Sequence, residues 1–319
     1  MKNFWQELKK NKKGQPILVL APLAGFTDSA FRLICREYGA DVVYSEMASV
    51  SALNYNPSKT LDLIKFNKKE RPYVVQIFGS NKDHFAKAIK IIEKEIKPDG
   101  IDINFGCPVK KVLKQGAGSK LMSDLKLSRE IIEVALENTQ LPLSIKVRTE
   151  AFSVDLIKFL KNISDLPISA LMIHGRTLKQ LFSGPIDTNI IKKSKKYFSG
   201  IILANGGVNS LDEVAEIINK TEVDGVGIGR GALGHPWIFS RNFQNILGED
   251  KKRLSIKVAL RHLRLAKKNK GELGFNEFKG HLFWYFKDFI GASELRSQIM
   301  ICKNYIEIEN VLKNKKVLV

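Results

Sequence analysis

The sequence predicts an α/β fold, a (β/α)8 TIM barrel followed by a small C-terminal helical bundle. Three observations lead there. Eight short apolar runs recur over roughly the first 240 residues, helical stretches separate them, and the strand pattern stops near Lys251. With 319 residues, 44% hydrophobic and 27% charged, the chain can bury a large core and is not a disordered chain.

The candidate strands are 17–21, 42–46, 73–78, 101–105, 143–147, 171–174, 201–205 and 225–229. Most are continuously apolar rather than alternating, as strands covered on both faces are. Helices are expected at 82–96, 128–138, 153–162 and 210–219, with Ser128 and Ser210 as N-caps and Asp212-Glu213 in a first turn. A doubly wound sheet is the alternative, but no GxGxxG follows the first strand. The expected division is a catalytic barrel over 1–245 and helices over 246–319.

In the second part Ile256, Ala259, Leu260 and Leu263 share one helical face, and Lys257, Arg261, Arg264 and Lys268 share another. Phe278, Leu282, Tyr285, Phe286 and Phe289 make a second apolar stripe, and Leu295, Ile299, Cys302 and Ile306 a third. Gly271–Gly274 and Gly291-Ala292 read as the turns between them.

Composition excludes several classes. No run approaches the roughly 18 apolar residues of a membrane span, and residues 1–14 lack the apolar core of a secretory leader. Cys35, Cys107 and Cys302 lie far apart, which excludes a disulfide scaffold and a CxxC motif. A cytoplasmic monomer with no metal is the expectation. The formal charge is +19, and residues 251–319 carry 16 Lys+Arg against 6 Asp+Glu. Such a field favours a polyanion, nucleic acid first among them. A general lysine excess is the plainer source of part of it.

Function in such barrels sits where strands end, and the strand ends here are polar. They carry Pro22-Leu23-Ala24, Gln76, Asn104 with Gly106-Cys107-Pro108, Lys146 with Arg148, His174 with Arg176, Asn205-Gly206-Gly207, and Gly229-Arg230. A charge in a strand interior is costly, so Lys146 points at an anion or an electron-rich ring at the barrel mouth. Glycine-rich loops after strands seven and eight suit a phosphate, with Arg230 adding charge. Together these fit a cofactor with one phosphate and a flat body, its ring edge met by Gln76 and Lys146 as in flavin sites. Cys107 lies in a loop just past a strand. With a pKa near the usual value of about 8.5 it is protonated at neutral pH and can act as a general acid. Cys35 and Cys302 sit among apolar neighbours and read as packing. His174 reads as a donor to substrate or flavin rather than a core histidine.

These residues lie in segments that resemble the tRNA-dihydrouridine synthases, most closely the bacterial B-type subfamily. The segments are LAPLAGFTDSAFR, GADVVYSEM, VQIFGS, GIDINFGCPVKKVLKQGAGSKLM, SIKVRT, MIHGRT, LANGGV, GIGRGALGHPWIF and GHLFWYFKDFIGASELRSQI, spanning about residues 17–299. The resemblance implies reduction of the C5–C6 double bond of uridines in the tRNA D-loop. NADPH (or NADH) would reduce FMN, hydride would pass to C6, and Cys107 would protonate C5. It implies FMN contacts from Pro22, Leu23, Ala24, Gln76, Lys146, His174, Asn205, Gly206, Gly207, Gly229 and Arg230, and places Asn104, Arg148 and Arg176 near the target base. One departure is that many members have NGD where this chain has Asn205-Gly206-Gly207. The competing readings are an FMN barrel acting on a small pyrimidine, dihydroorotate dehydrogenase-like, and a non-catalytic tRNA-binding protein.

Overall fold

The computed structural model describes residues 3–317. All eight strands form: β1 (Ile17–Leu20), β2 (Val42–Tyr44), β3 (Tyr73–Phe78), β4 (Gly100–Asn104), β5 (Leu143–Arg148), β6 (Ala170–His174), β7 (Ile201–Asn205) and β8 (Gly225–Ile228). Each pairs in parallel with the next, and β8 returns to β1 with Ile17 opposite Gly225. The ring is closed, so the fold is a TIM barrel and not a doubly wound sheet.

Strand period two sorts the inward side chains into layers. Val19, Val42, Tyr44, Val74, Ala170, Met172, Ile201 and Leu203 make an apolar plug, and Trp5 of the helix Phe4–Lys12 joins it fully buried. Two residues further along, the same inward positions carry Gln76, His174 and Asn205. The barrel is therefore dry at one end and polar at the other. A second, larger apolar shell lies between the outer faces of the strands and the helices.

The helix starts show what the sequence pattern blurs. Ser210 caps Leu211–Thr221, its hydroxyl accepting from the Glu213 amide at 3.2 Å. Ser128 is not a cap. The helix begins at Leu125 behind Asp124, and Ser128 lies one turn inside it, donating to the Leu121 carbonyl at 2.7 Å. The helix expected at 153–162 is Leu156–Ile163, because a small hairpin of Glu150–Ala151 and Val154–Asp155 takes up the preceding residues and Asp155 caps it.

The chain ends in helices Gly248–Lys270, Phe275–Tyr285, Ala292–Ile301 and Tyr305–Val317. The third expected stripe is broken. The helix stops at Ile301, and Asn304 restarts it by accepting from the Glu307 amide at 3.0 Å. The new register exposes Ile306 and buries Ile308 and Leu312. Nor is the basic face wholly open, since Arg261 pairs with Glu37 of the barrel at 2.5 Å. The apolar core of these helices includes Ala30, Leu33 and Ile34 of the barrel helix Ser29–Glu37, together with Trp237. Among the described residues no helix is long and apolar enough to cross a membrane.

The helix Ser29–Glu37 is anchored from within. Arg32 and Glu70 form an ion pair with neither side chain exposed, Nε to Oε2 at 2.5 Å. Arg32 also donates to the carbonyls of Thr27 and Lys65, and Glu70 accepts from Ser29 and the Asn67 amide. Each guanidinium nitrogen and each carboxylate oxygen of the pair thus has a partner, the condition under which a buried pair holds its place.

Candidate active site

The polar end of the barrel opens into a cavity of about 700 Å3, within the usual range for a small-molecule site. A hollow of about 600 Å3 on the outer wall, between Leu156–Ile163 and Thr188–Ser194, is lined mainly by solvated lysines and aspartates and touches none of the eight barrel strands. The barrel cavity gathers all fifteen residues that the sequence singles out. Pro22, Leu23 and Ala24 enter from the turn after β1, Gln76 from β3, and Asn104 and Cys107 from β4 and its loop. Lys146 and Arg148 come from β5, His174 and Arg176 from β6, Asn205, Gly206 and Gly207 from β7, and Gly229 and Arg230 from β8.

A hydrogen-bonded chain crosses the cavity floor. Asp102 accepts from Ser144 Oγ at 2.6 Å and from Gln76 Nε2 at 2.7 Å. That fixes the Gln76 amide so that Oε1 accepts from Asn104 Nδ2 at 2.9 Å. Asn104 Oδ1 then accepts from the amides of Gly106 and Cys107 at 3.0 and 2.9 Å. A carboxylate beneath the floor therefore sets the loop that carries the thiol. Burial is the main force on Asp102 and pushes its pKa up to about 6, against bonds from Ser144 and Gln76 and the charge of Lys146.

The loop is held from behind as well. Cys107 carbonyl accepts from the Ser119 amide at 3.1 Å. Gly118, at φ +61°, backs directly onto it, and a Cβ there would lie 2.8 Å from the Cys107 carbonyl oxygen. This is why a glycine-rich segment follows the cysteine at this distance in the chain. Burial raises the Cys107 thiol pKa above its ordinary value, opposed by the Val109 amide and by Arg148 and Lys146. The thiol is a proton holder at neutral pH, not a thiolate nucleophile.

The mouth is cationic. Lys146 Nζ donates to Asn205 Oδ1 at 3.0 Å, and burial beside Arg148 brings its pKa down to about 8. Arg148 spends three of its five donors on the carbonyls of Gly106, Thr177 and Leu181 at 2.8 to 2.9 Å. Arg176 is pinned to the Gly184 carbonyl and Arg230 to that of Phe182. Among these charges His174, desolvated first and repelled second, is pushed down to about 2 and is a neutral imidazole. At the β7 loop, a Cβ on Gly206 (φ +114°) would strike the His174 ring at 2.8 Å. Only glycine lets this backbone approach.

The sequence reading overlooked four aromatic or soft side chains of the lining: Phe26, Met47, Phe182 and Trp284. Phe182 lies beneath the guanidinium groups of Arg230 and Arg148, at 4.9 and 5.7 Å. Trp284 comes from the C-terminal helices and stands edge-on to Phe26 at 6.1 Å. It lies off the stripe of Phe278, Leu282 and Tyr285, so no local periodicity marks it. Asp102 is a polar residue within a strand, and its partners Gln76 and Ser144 are distant in sequence.

Comparison with known proteins places this arrangement. Residues 19–318 match the family described as Dihydrouridine synthase (Dus). A protein named probable tRNA-dihydrouridine synthase from Aquifex aeolicus is 33% identical over 317 residues, covering 96% of this chain and 97% of its own. One named tRNA-dihydrouridine synthase B from Pseudomonas aeruginosa is 34% identical over 290 residues, covering 88% and 87%. Among solved structures, that of TcOYE with pHBA has a TM-score of 0.53 at 10% identity, over 72% of this chain and 89% of its own. The complex of 2-naphthoyl-CoA reductase with 2-naphthoyl-CoA gives 0.52 at 11% identity, over 70% and 49%. At such identities the solved structures share the barrel fold and nothing finer. The family match and the near full-length relatives do go further: this chain belongs to the dihydrouridine synthase family.

Proposed function

We propose that this chain reduces the C5–C6 double bond of uridines in the D-loop of tRNA, holding FMN in the barrel cavity and using NADPH (or NADH) as reductant. The observation that carries the reading is the placement of a protonated, buried Cys107 on a braced loop beside a cationic, glycine-lined cavity. The relatives' names supply the substrate class.

The cavity fits a flavin mononucleotide. Backbone at Gly206, Gly207 and Gly229, with Arg230 beside it, suits a phosphate. Pro22, Leu23 and Ala24 offer an apolar wall, and Gln76, Lys146, His174 and Asn205 offer polar contacts for a ring edge. When bound, the flavin supplies hydride chemistry. The chain's own residues do the rest. Lys146 sets positive charge at the cavity centre, and neutral His174 adds a hydrogen bond without a second charge. Asn104, Arg148 and Arg176 orient the uracil. Cys107 Sγ holds the proton that passes to C5. A uridine reaches this depth only by leaving its stack, and the basic helices of 246–319 hold the phosphate backbone.

The test is the visible spectrum of the purified protein. Flavin bands should bleach with NADPH and return anaerobically only when unmodified tRNA is added. Cys107→Ala should keep the bands and NADPH oxidation while uridine reduction falls by about 10²–10⁴-fold. Bands that return with a free pyrimidine or a quinone, and not with tRNA, would move the chain to small-molecule chemistry. A colourless protein that takes up no FMN would make it a binding protein.

A further inference from the structure

Behind the cavity wall, three residues distant in sequence meet. Asp28 caps the helix Ser29–Glu37, its Oδ1 accepting from the Phe31 amide at 2.9 Å. Its other oxygen, Oδ2, lies 3.5 Å from His281 Nε2. His281 belongs to Phe275–Tyr285 and His262 to Gly248–Lys270, with ring centroids 4.5 Å apart. One ligand-capable atom from each of the three lies within 4.8 Å of the other two. Both imidazoles are wholly buried. His262 Nδ1 meets the Tyr285 hydroxyl at 3.0 Å, but His262 Nε2 and both nitrogens of His281 have no hydrogen-bond partner.

Leaving three ring nitrogens unpaired in a dry interior is costly. A proton on His281 facing Asp28 answers only one of them and sets a positive charge beside His262. We propose instead that Asp28, His262 and His281 form a binding site for one divalent transition ion of the zinc class. Two imidazoles and a carboxylate are the donor set such ions take, whereas calcium and magnesium take oxygens. A neutral imidazole is the form in which His262 ligates. Tyr285 fixes its ring through the far nitrogen, as partners behind metal-bound imidazoles do. The ion ties two C-terminal helices to the start of the first barrel helix. Phe26 stands edge-on to both His281 (5.4 Å) and Trp284 (6.1 Å), so the tie also steadies the cavity rim. The sequence hides this site, because no two of its ligands share a motif.

The test uses the full chain, stripped with a chelator and titrated with zinc alone. The expected result is one zinc per chain by elemental analysis and a melting temperature raised by roughly 5 °C at saturating zinc. Cobalt in its place should give a visible d–d band. Asp28→Asn keeps the helix cap, since asparagine caps as well as aspartate, and removes the anionic ligand. That variant should melt within a few degrees of the stripped protein, bind zinc at least tenfold more weakly and lose the thermal gain. A stripped wild-type chain that takes up no stoichiometric zinc overturns the proposal. So does an Asp28→Asn chain that binds zinc as tightly as wild type.

Discussion

Gly118→Ala should damage the chemistry without removing a single polar group of the cavity. Gly118 has φ +61° and ψ −129°, a conformation open to glycine and strained for alanine by about 1–3 kcal/mol. The added Cβ would sit 2.8 Å from the Cys107 carbonyl oxygen and 3.0 Å from both Cys107 Cβ and Val112 Cγ1, where ordinary contact begins at 3.4 Å. The Cys107 backbone must therefore retreat by about 0.6 Å, and forcing a packed loop apart costs a further ~1–3 kcal/mol. The combined loss, about 2–6 kcal/mol, lowers the melting temperature by roughly 5–20 °C. The retreat carries the thiol with it. Since a shift of about 1 Å can cost 10²-fold, uridine reduction in a single turnover should slow by about 10- to 100-fold, with NADPH oxidation unchanged. Gly116→Ala is the control. It sits at φ +71° but its Cβ would meet only Ser80, at an ordinary 3.4 Å. It should lose stability and keep its turnover. Wild-type turnover in Gly118→Ala, or equal deficits in the two variants, would refute the bracing of Cys107 by this glycine.

Two further outcomes follow from buried charge. Glu70→Ala strands the Arg32 guanidinium in a site with no exposure and should cost about 3–5 kcal/mol in urea denaturation at pH 7, and a loss below about 1 kcal/mol would contradict the pairing. Asp102, raised from 3.8 to about 6, holds a proton in the folded state that the unfolded chain has already released. Stability should therefore fall as pH rises from about 4 to about 6 and level off above. Asp102→Asn should remove that slope relative to wild type, and parallel urea-midpoint curves for the two proteins would show that Asp102 does not titrate there.

The barrel was legible because its strands are apolar on both faces, a pattern that survives without knowing their neighbours. Strand-end residues were legible for a related reason. A lysine at 146 or an asparagine at 104 violates that pattern and so announces a site. Where two valid signals competed, the sequence could not choose. Ser128 and Asp124 are both good caps four residues apart, and only the seating of the Ser128 hydroxyl on Leu121 decides between them. Ile306 continued the stripe of Leu295 and Ile299 on paper, but a turn at Cys302 resets the helical phase, and phase errors are invisible to periodicity once a helix breaks. Trp284, Asp102 and the pair His262 and His281 were unreadable because their meaning lies in contacts between distant segments. The likeness to a known family reached the fifteen cavity residues, and the packing behind them had to come from three dimensions.

The shared core of the last helices has a bearing on how such a protein can diverge. Ala30, Leu33 and Ile34 lie on a barrel helix, and Trp237 lies on the turn after β8, yet all four pack with the tail. A crossover that exchanged everything after residue 246 would leave these side chains facing a stranger's surface. The heritable unit is therefore larger than the tail. It takes in the first barrel helix, and with it the Phe26 turn that touches the cavity. New tails must arrive with matching first helices or be repaired by paired substitutions across the seam. Substitutions on the outer face of the tail would then be free to evolve, while its inner face stays tied to the barrel mouth.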